Sequence, residues 1–261
     1  MKIFRKIRQK LLSESKFSKP YSPAGRYFMY AIGEIILVVI GILIALQIDN
    51  WNQTQKDENS LKEYLVKIKS HTREDLYKLD SITRGRTQIA ELCKKARVSI
   101  LDKTEGENLI LFMSSGFAFA DINFKPNAGG YEALKNSSYF GKINNTPLDS
   151  LLTRYHSLIE EIAASEKSYN DYAKSQNAYL STQFDRSLML AYAFVPPDSL
   201  KIRATTQAEY FEDFAAYTSS APYRNVISLA AWQFDTMIAL YDGLNDLGMN
   251  VIKEIDAITN D

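Results

Sequence analysis

The chain has 261 residues, of which 31 are basic and 31 acidic, so it carries no net formal charge at neutral pH. One cysteine excludes an internal disulfide, and the two histidines, His71 and His156, lie far apart in sequence. A chain of this length is compatible with one sizeable folded domain, and the acidic excess of its larger part, residues 49–261, argues against nucleic-acid binding.

The balance hides an asymmetry. Residues 1–26 hold eight basic side chains, Lys2, Arg5, Lys6, Arg8, Lys10, Lys16, Lys19 and Arg26, against Glu14 alone, a net of +7. From Asp49 onward, 23 basic residues face 29 acids, a net of −6. Within the arm, residues 1–16 read as an amphipathic helix with Ile3, Phe4, Ile7, Leu11 and Leu12 on one face. Such a helix suits an anionic membrane surface, and the alternative is a plain topogenic basic tail. Pro20, Pro23 and Gly25 mark residues 17–25 as a hinge.

Residues 27–48, YFMYAIGEIILVVIGILIALQI, are the most apolar stretch. As a helix they span about 33 Å, enough for a hydrocarbon core of about 30 Å. The uncharged run after Glu34 would make only about 21 Å, so the span must include that glutamate. A carboxylate there costs a few kcal/mol unless it faces protein, snorkels or is protonated. Glu34, Val38, Gly41, Ala45 and Ile48 recur at spacings of 4, 3, 4 and 3 and form one stripe. Gly41 and Ala45 allow close backbone approach, so the stripe reads as a helix–helix contact. Snorkelling of Glu34 is the competing reading, and a proton or ion path is a third. Tyr27, Tyr30 and Trp51 stand where interfacial aromatics belong. The charge asymmetry orients the N-terminus to the cytoplasm and residues 49–261 outside. No A-x-A-like site follows the apolar run, which favours an uncleaved anchor over a signal peptide. The only cysteine, Cys93, lies far from the span, so there is no lipobox-like site.

Helical spacing of Leu61, Leu65, Ile68, Leu76, Leu79, Ile82, Ile89, Leu92, Ala96 and Ile100 predicts one long helix over 56–101, with Gly85 as a point of disturbance. Nothing at 50–52 stops it from continuing the membrane helix. A short helical piece at 109–113, an aromatic loop at 116–124 and a short helix at 131–136 follow, then a polar connection over 136–145. Thr146 with Pro147 is a helix start, cap and first-turn proline together. The helix that it opens runs to about Ala193, with Pro196-Pro197 as its stop. Thr205 or Thr206 caps a further helix to about Tyr217, 219–222 breaks the chain, and a last long helix covers 223–258. The sequence therefore predicts an all-α fold: one transmembrane helix, then an antiparallel helical bundle built on three long helices.

Two stretches carry a resemblance. FRKIRQKLLSESK followed by YAIGEIILVVIGILIALQIDNWN resembles the signature of an uncharacterised family of single-span envelope proteins widespread in Bacteroidota. Tyr131-Glu132-Ala133-Leu134-Lys135-Asn136-Ser137 is similar to that family's Y-E-x-L-K-x-S-G segment, with Ser138 in place of the closing glycine. The resemblance singles out Glu34, Gly41, Asn50 and Trp51 together with Tyr131, Glu132, Leu134, Lys135 and Ser137. It implies an inner-membrane protein of a two-membrane bacterium with a periplasmic helical domain, and it implies no activity.

Direct signs of chemistry are few. His156 and Glu160, like His71 and Asp75, sit four apart on a helix, which reads as a surface histidine beside a carboxylate. Cys93 reads as a buried thiol, an intermolecular disulfide being the alternative. Tyr155, Tyr169, Tyr172 and Tyr179 read as core–surface boundary residues with hydroxyls in water, with an aromatic ligand pocket as the rival. Glu160-Glu161 and Glu212-Asp213 read as solvated faces. There is no G-x-S-x-G, P-loop, dinucleotide fingerprint or C-x-x-C.

Read together, the chain comprises a cytoplasmic arm (1–26), a transmembrane helix (27–48) and a periplasmic bundle (49–261). The expected role is that of a non-enzymatic, membrane-anchored scaffold or accessory subunit, without cofactor or metal, with the lipid bilayer and a second copy or another membrane protein as partners. A periplasmic ligand sensor and an envelope enzyme are the alternatives.

Overall fold

The structure is a computed structural model that describes residues 23–104, 106, 108–187 and 207–260. All the elements it describes are helical. They are α1 (Pro23–Asp102), α2 (Leu109–Ser115), α3 (Gly129–Lys135), α4 (Pro147–Gln183), α5 (Gln207–Ser219) and α6 (Ala221–Asn260), with 3-10 turns at Gly116–Phe119 and Phe140–Lys142. By their contacts the residues fall into two units, Met1–Asn59 and Ser60–Asp261, with the 80-residue α1 contributing to both.

In the first unit, the helix begins at Pro23, where a proline's missing N–H is harmless. Residues 23–25 of the expected hinge are therefore helical, and residues 17–22, with the amphipathic arm, lie outside the described residues. Residues 50–52 are helical too, and side-chain bonds such as Thr54 Oγ1 to the Asn50 carbonyl (2.9 Å) and Gln53 Nε2 to Asp57 (2.8 Å) run along that polar stretch.

The second unit is built on the rest of α1 with α4 and α6. Gly85 does not disturb α1. Along α1, Lys69 pairs with Asp256 and Lys94 with Asp235 (2.9 Å), so α6 runs antiparallel to α1. Leu158 and Glu166 of α4 meet Gly243 and Tyr241, so α6 is antiparallel to α4 as well. However, Ile68 and Leu152 line one cavity while Arg86 faces Glu166, so α1 and α4 are parallel. The all-antiparallel arrangement expected from the sequence thus holds for α6 alone. The reason is the long connection 103–146, which carries the chain back across the unit before α4 begins.

The core is continuous, with Leu65, Leu79, Cys93, Leu152, Ile162, Leu180, Val226, Ala230, Leu244 and Ile255 among its buried members. At Gly248 a Cβ would stand 2.7 Å from Leu76 Cδ2, so the glycine lets α6 lie close on α1.

The start of α4 follows its sequence signal. Thr146 is extended (φ −94°, ψ 163°), its hydroxyl accepts from the Asp149 N–H at 3.3 Å, and Pro147 opens the helix. Thr146→Ala is expected to lower stability by about 1 kcal/mol, read as a shift in the denaturant midpoint of the full chain in micelles. The far end differs from expectation. α4 stops at Gln183, where Phe184 turns extended (φ −130°, ψ 132°) and packs edge-on against Tyr217 at 5.6 Å. The expected stop at Pro196-Pro197 and the cap at Thr205 or Thr206 lie outside the described residues. The break expected over 219–222 reduces to Ser220, because α6 starts at Ala221 with Pro222 in its first turn.

Candidate functional site

Two regions concentrate the residues of interest. The first is the apolar part of α1. Glu34, Val38, Gly41, Ala45 and Ile48 are all exposed, as are Tyr27, Tyr30 and Trp51. A Cβ added at Gly41 would meet nothing within 4 Å. Among the described residues, α1 is the one helix long and apolar enough to cross a membrane, and no residue of its most apolar window is buried. A soluble protein would cover such a surface with its own chain.

The second region is the return segment 116–131, which connects α2 to α3 and is largely without regular structure. Backbone groups in such a segment need partners once they are buried, and side chains of the three long helices supply them. Tyr169 donates its hydroxyl to the Ala118 carbonyl at 2.7 Å, and just before the segment Tyr223 donates to the Phe112 carbonyl of α2. Arg86 Nη2 and Asn170 Nδ2 both donate to the Ile122 carbonyl, at 2.8 and 3.0 Å. Glu166 accepts from the Phe124 N–H (2.9 Å) and from the Tyr241 hydroxyl (2.6 Å). Arg86 and Glu166 are each only 1% exposed and stand 3.9 Å apart, with the guanidinium 4.8 Å from the Phe234 ring centre. This is a buried ion pair that also bonds the return segment, through Arg86 Nη2 and one Glu166 oxygen, while Arg86 Nε has no partner among the described residues. Burial drives the hydroxyls of Tyr169, Tyr223 and Tyr241 to stay protonated, well above the ordinary tyrosine range.

Further along, the segment docks on α1 and α4. The Asn127 N–H donates to both oxygens of Asp75 (2.8 and 3.0 Å), and Asn127 Nδ2 reaches Glu74 at 3.3 Å. The Gly130 N–H donates to His71 Nδ1 at 3.0 Å. A Cβ at Gly130 would stand 3.1 Å from the backbone nitrogen of Ile68, so the glycine permits this approach. Tyr131 stacks on His156 with ring centres 3.9 Å apart and planes at 23°. His71, Asp75, Tyr131, Tyr155 and His156 line one cavity of about 10 Å³, room for one water molecule. The Tyr155 hydroxyl, buried against it, has no hydrogen-bond partner among the described residues.

These positions revise several expectations. His71 and His156 are half-buried and engaged with the return segment, and Asp75 is buried, so neither pair is a free surface pair. Burial holds the His156 ring below the ordinary histidine range, against the upward pull of Glu132 and Glu160. Burial raises the Asp75 carboxyl, partly offset by the Asn127 N–H and Lys78. Tyr155 and Tyr169 are core residues, while Tyr179 is exposed, so the four tyrosines of α4 do not converge on one pocket. Cys93 is buried as expected, with its thiol pushed up to about 12 by burial. Glu160, Glu161, Glu212 and Asp213 are exposed.

In the 131–137 segment, Leu134 is fully buried, Tyr131 and Ser137 are half-buried, and Glu132 and Lys135 are exposed. Ser137 donates its hydroxyl to the Leu134 carbonyl (2.7 Å) and accepts from the Tyr139 N–H (3.1 Å). Ser138 does not adopt a positive φ, so this turn does not call for a glycine there. Glu166 and Arg86 were not evident from the sequence as site residues. The signal was there, since each interrupts an apolar helical stripe: Ile162, Glu166, Tyr169 on α4 and Leu79, Arg86, Cys93 on α1.

Among the described residues, no three His, Cys, Asp or Glu side chains are placed to hold a metal ion. Comparison with curated proteins and with solved structures gave no significant match. A family model does match, over residues 34–195, which takes in the Glu34–Ile48 stripe, the return segment and α4. The chain belongs to that family, described as a family of unknown function (DUF6090).

Proposed function

We propose that this protein is a non-enzymatic scaffold or accessory subunit of a bacterial envelope, anchored by residues 27–48 in the inner membrane. The arm 1–26 faces the cytoplasm and residues 49–261 the periplasm. It works by helix–helix association, with a second copy or with another membrane protein. The observation that carries this reading is the uncovered apolar helix of α1, on which Glu34 shares a stripe with Gly41 and Ala45. Lipid can cover the apolar side chains, but only a protein partner both satisfies the carboxyl and exploits the small residues. The charge asymmetry across the span supports the orientation.

A photo-reactive residue at Val38 in native membranes tests it. A defined protein adduct is expected, and Glu34→Leu or Gly41→Leu should weaken the association about 3- to 30-fold. Cross-links to lipid alone would overturn the reading.

A further inference from the structure

The chain has two histidines, 85 positions apart, and the fold brings both to neighbouring residues of one segment. His71 accepts the Gly130 N–H on Nδ1, and His156 lies flat on Tyr131. An imidazole can accept at Nδ1 only while that nitrogen carries no proton, and the imidazolium has two donors and no acceptor. The latched and protonated forms of His71 are therefore mutually exclusive. His71 is only half-buried, so solvent protons reach it.

We propose that His71 and His156 form a proton-operated latch on residues 126–131, closed while both rings are neutral and released when His71 takes up a proton. The charged and titratable surroundings are defined on each side. Asp75 lies beside His71 on α1, itself paired with Lys78 at 3.6 Å. From α4, Tyr155 and His156 face the same cavity. Around His156 stand Glu132 and Lys135 of α3 and Glu160 of α4. The signs differ among these groups. His156 resists the proton because it is buried, so its contribution to stability is present above the unfolded histidine value of about 6.5 and is lost as pH falls below it. Asp75, raised by burial, works oppositely: the folded state takes its proton more readily than the unfolded chain does. A protonated Asp75 still has a carbonyl oxygen for the Asn127 N–H, so that anchor survives. The release is hence local, centred on Gly130, and not a global unfolding. It rests on the helical unit alone and is independent of whether the stripe on α1 binds a partner.

Amide hydrogen exchange of the full chain in micelles tests this, expressed as protection factors so that intrinsic exchange rates cancel. Protection across 128–132 should fall about tenfold as acidification protonates His71, the weight of one lost hydrogen bond, while α6 stays unchanged. In His71→Gln the side-chain carbonyl accepts at every pH, so protection should stay flat. A flat wild-type profile would overturn the proposal, and so would an equal fall in His71→Gln. If that variant does not fold, ring ¹⁵N shifts of the wild type decide. The His71 titration must coincide with the loss of Gly130 protection, and a titration that leaves Gly130 protected rules the latch out.

Discussion

Glu166→Leu is expected to destabilise the protein by about 3–5 kcal/mol, because it strands Arg86 as an unpaired buried charge. It also removes the acceptor for the Phe124 N–H and the Tyr241 hydroxyl. For a chain of this size that is a drop in Tm of about 10 °C, read by circular dichroism of the full chain in micelles. The double variant Arg86→Met with Glu166→Leu should recover part of the loss, since it removes the stranded charge. An additive double variant would mean that the two groups do not act as a pair. The physical content is that Arg86 and Glu166 are worth little as an ion pair and much as mutual neutralisers, while their remaining hydrogen bonds hold residues 122–124.

The second large effect is at Tyr169, fully buried in α4 with its ring 4.7 Å from that of Phe234. Tyr169→Ala should cost about 3–5 kcal/mol, the usual range for deleting a buried aromatic side chain. Tyr169→Phe keeps the ring and loses only the bond to the Ala118 carbonyl, so about 1–3 kcal/mol is expected. Chemical denaturation of the two variants separates packing from hydrogen bonding. Equal losses would place the whole effect in the hydroxyl and contradict the packing account.

How much of this was legible in the residues varies with the range of the interaction involved. The membrane-length run, the all-helical pattern and the Thr146-Pro147 start depend on composition and on neighbours within one turn, and each is seen as expected. The end of α4 is not, because Phe184 leaves the helix to pack on Tyr217, a contact across more than thirty residues. The parallel course of α1 and α4 was hidden for a similar reason. Periodicity reports which face of a helix is buried and carries no information on direction, which depends here on how 103–146 crosses the unit. The candidate site was legible in its parts alone. Spacing placed His71 beside Asp75 and His156 beside Glu160 on their own helices. Only the fold joins both histidines to Gly130 and Tyr131. Glu166 and Arg86 could have been found as opposite charges in otherwise apolar stripes.

The measurement that bears most directly on the proposed role is the mass and composition of the particle purified from native membranes in mild detergent. The account predicts a particle of defined stoichiometry larger than one chain, holding either further copies or a partner protein, that comes apart in Glu34→Leu or Gly41→Leu. A single chain surrounded by detergent, unchanged by either substitution, would contradict it.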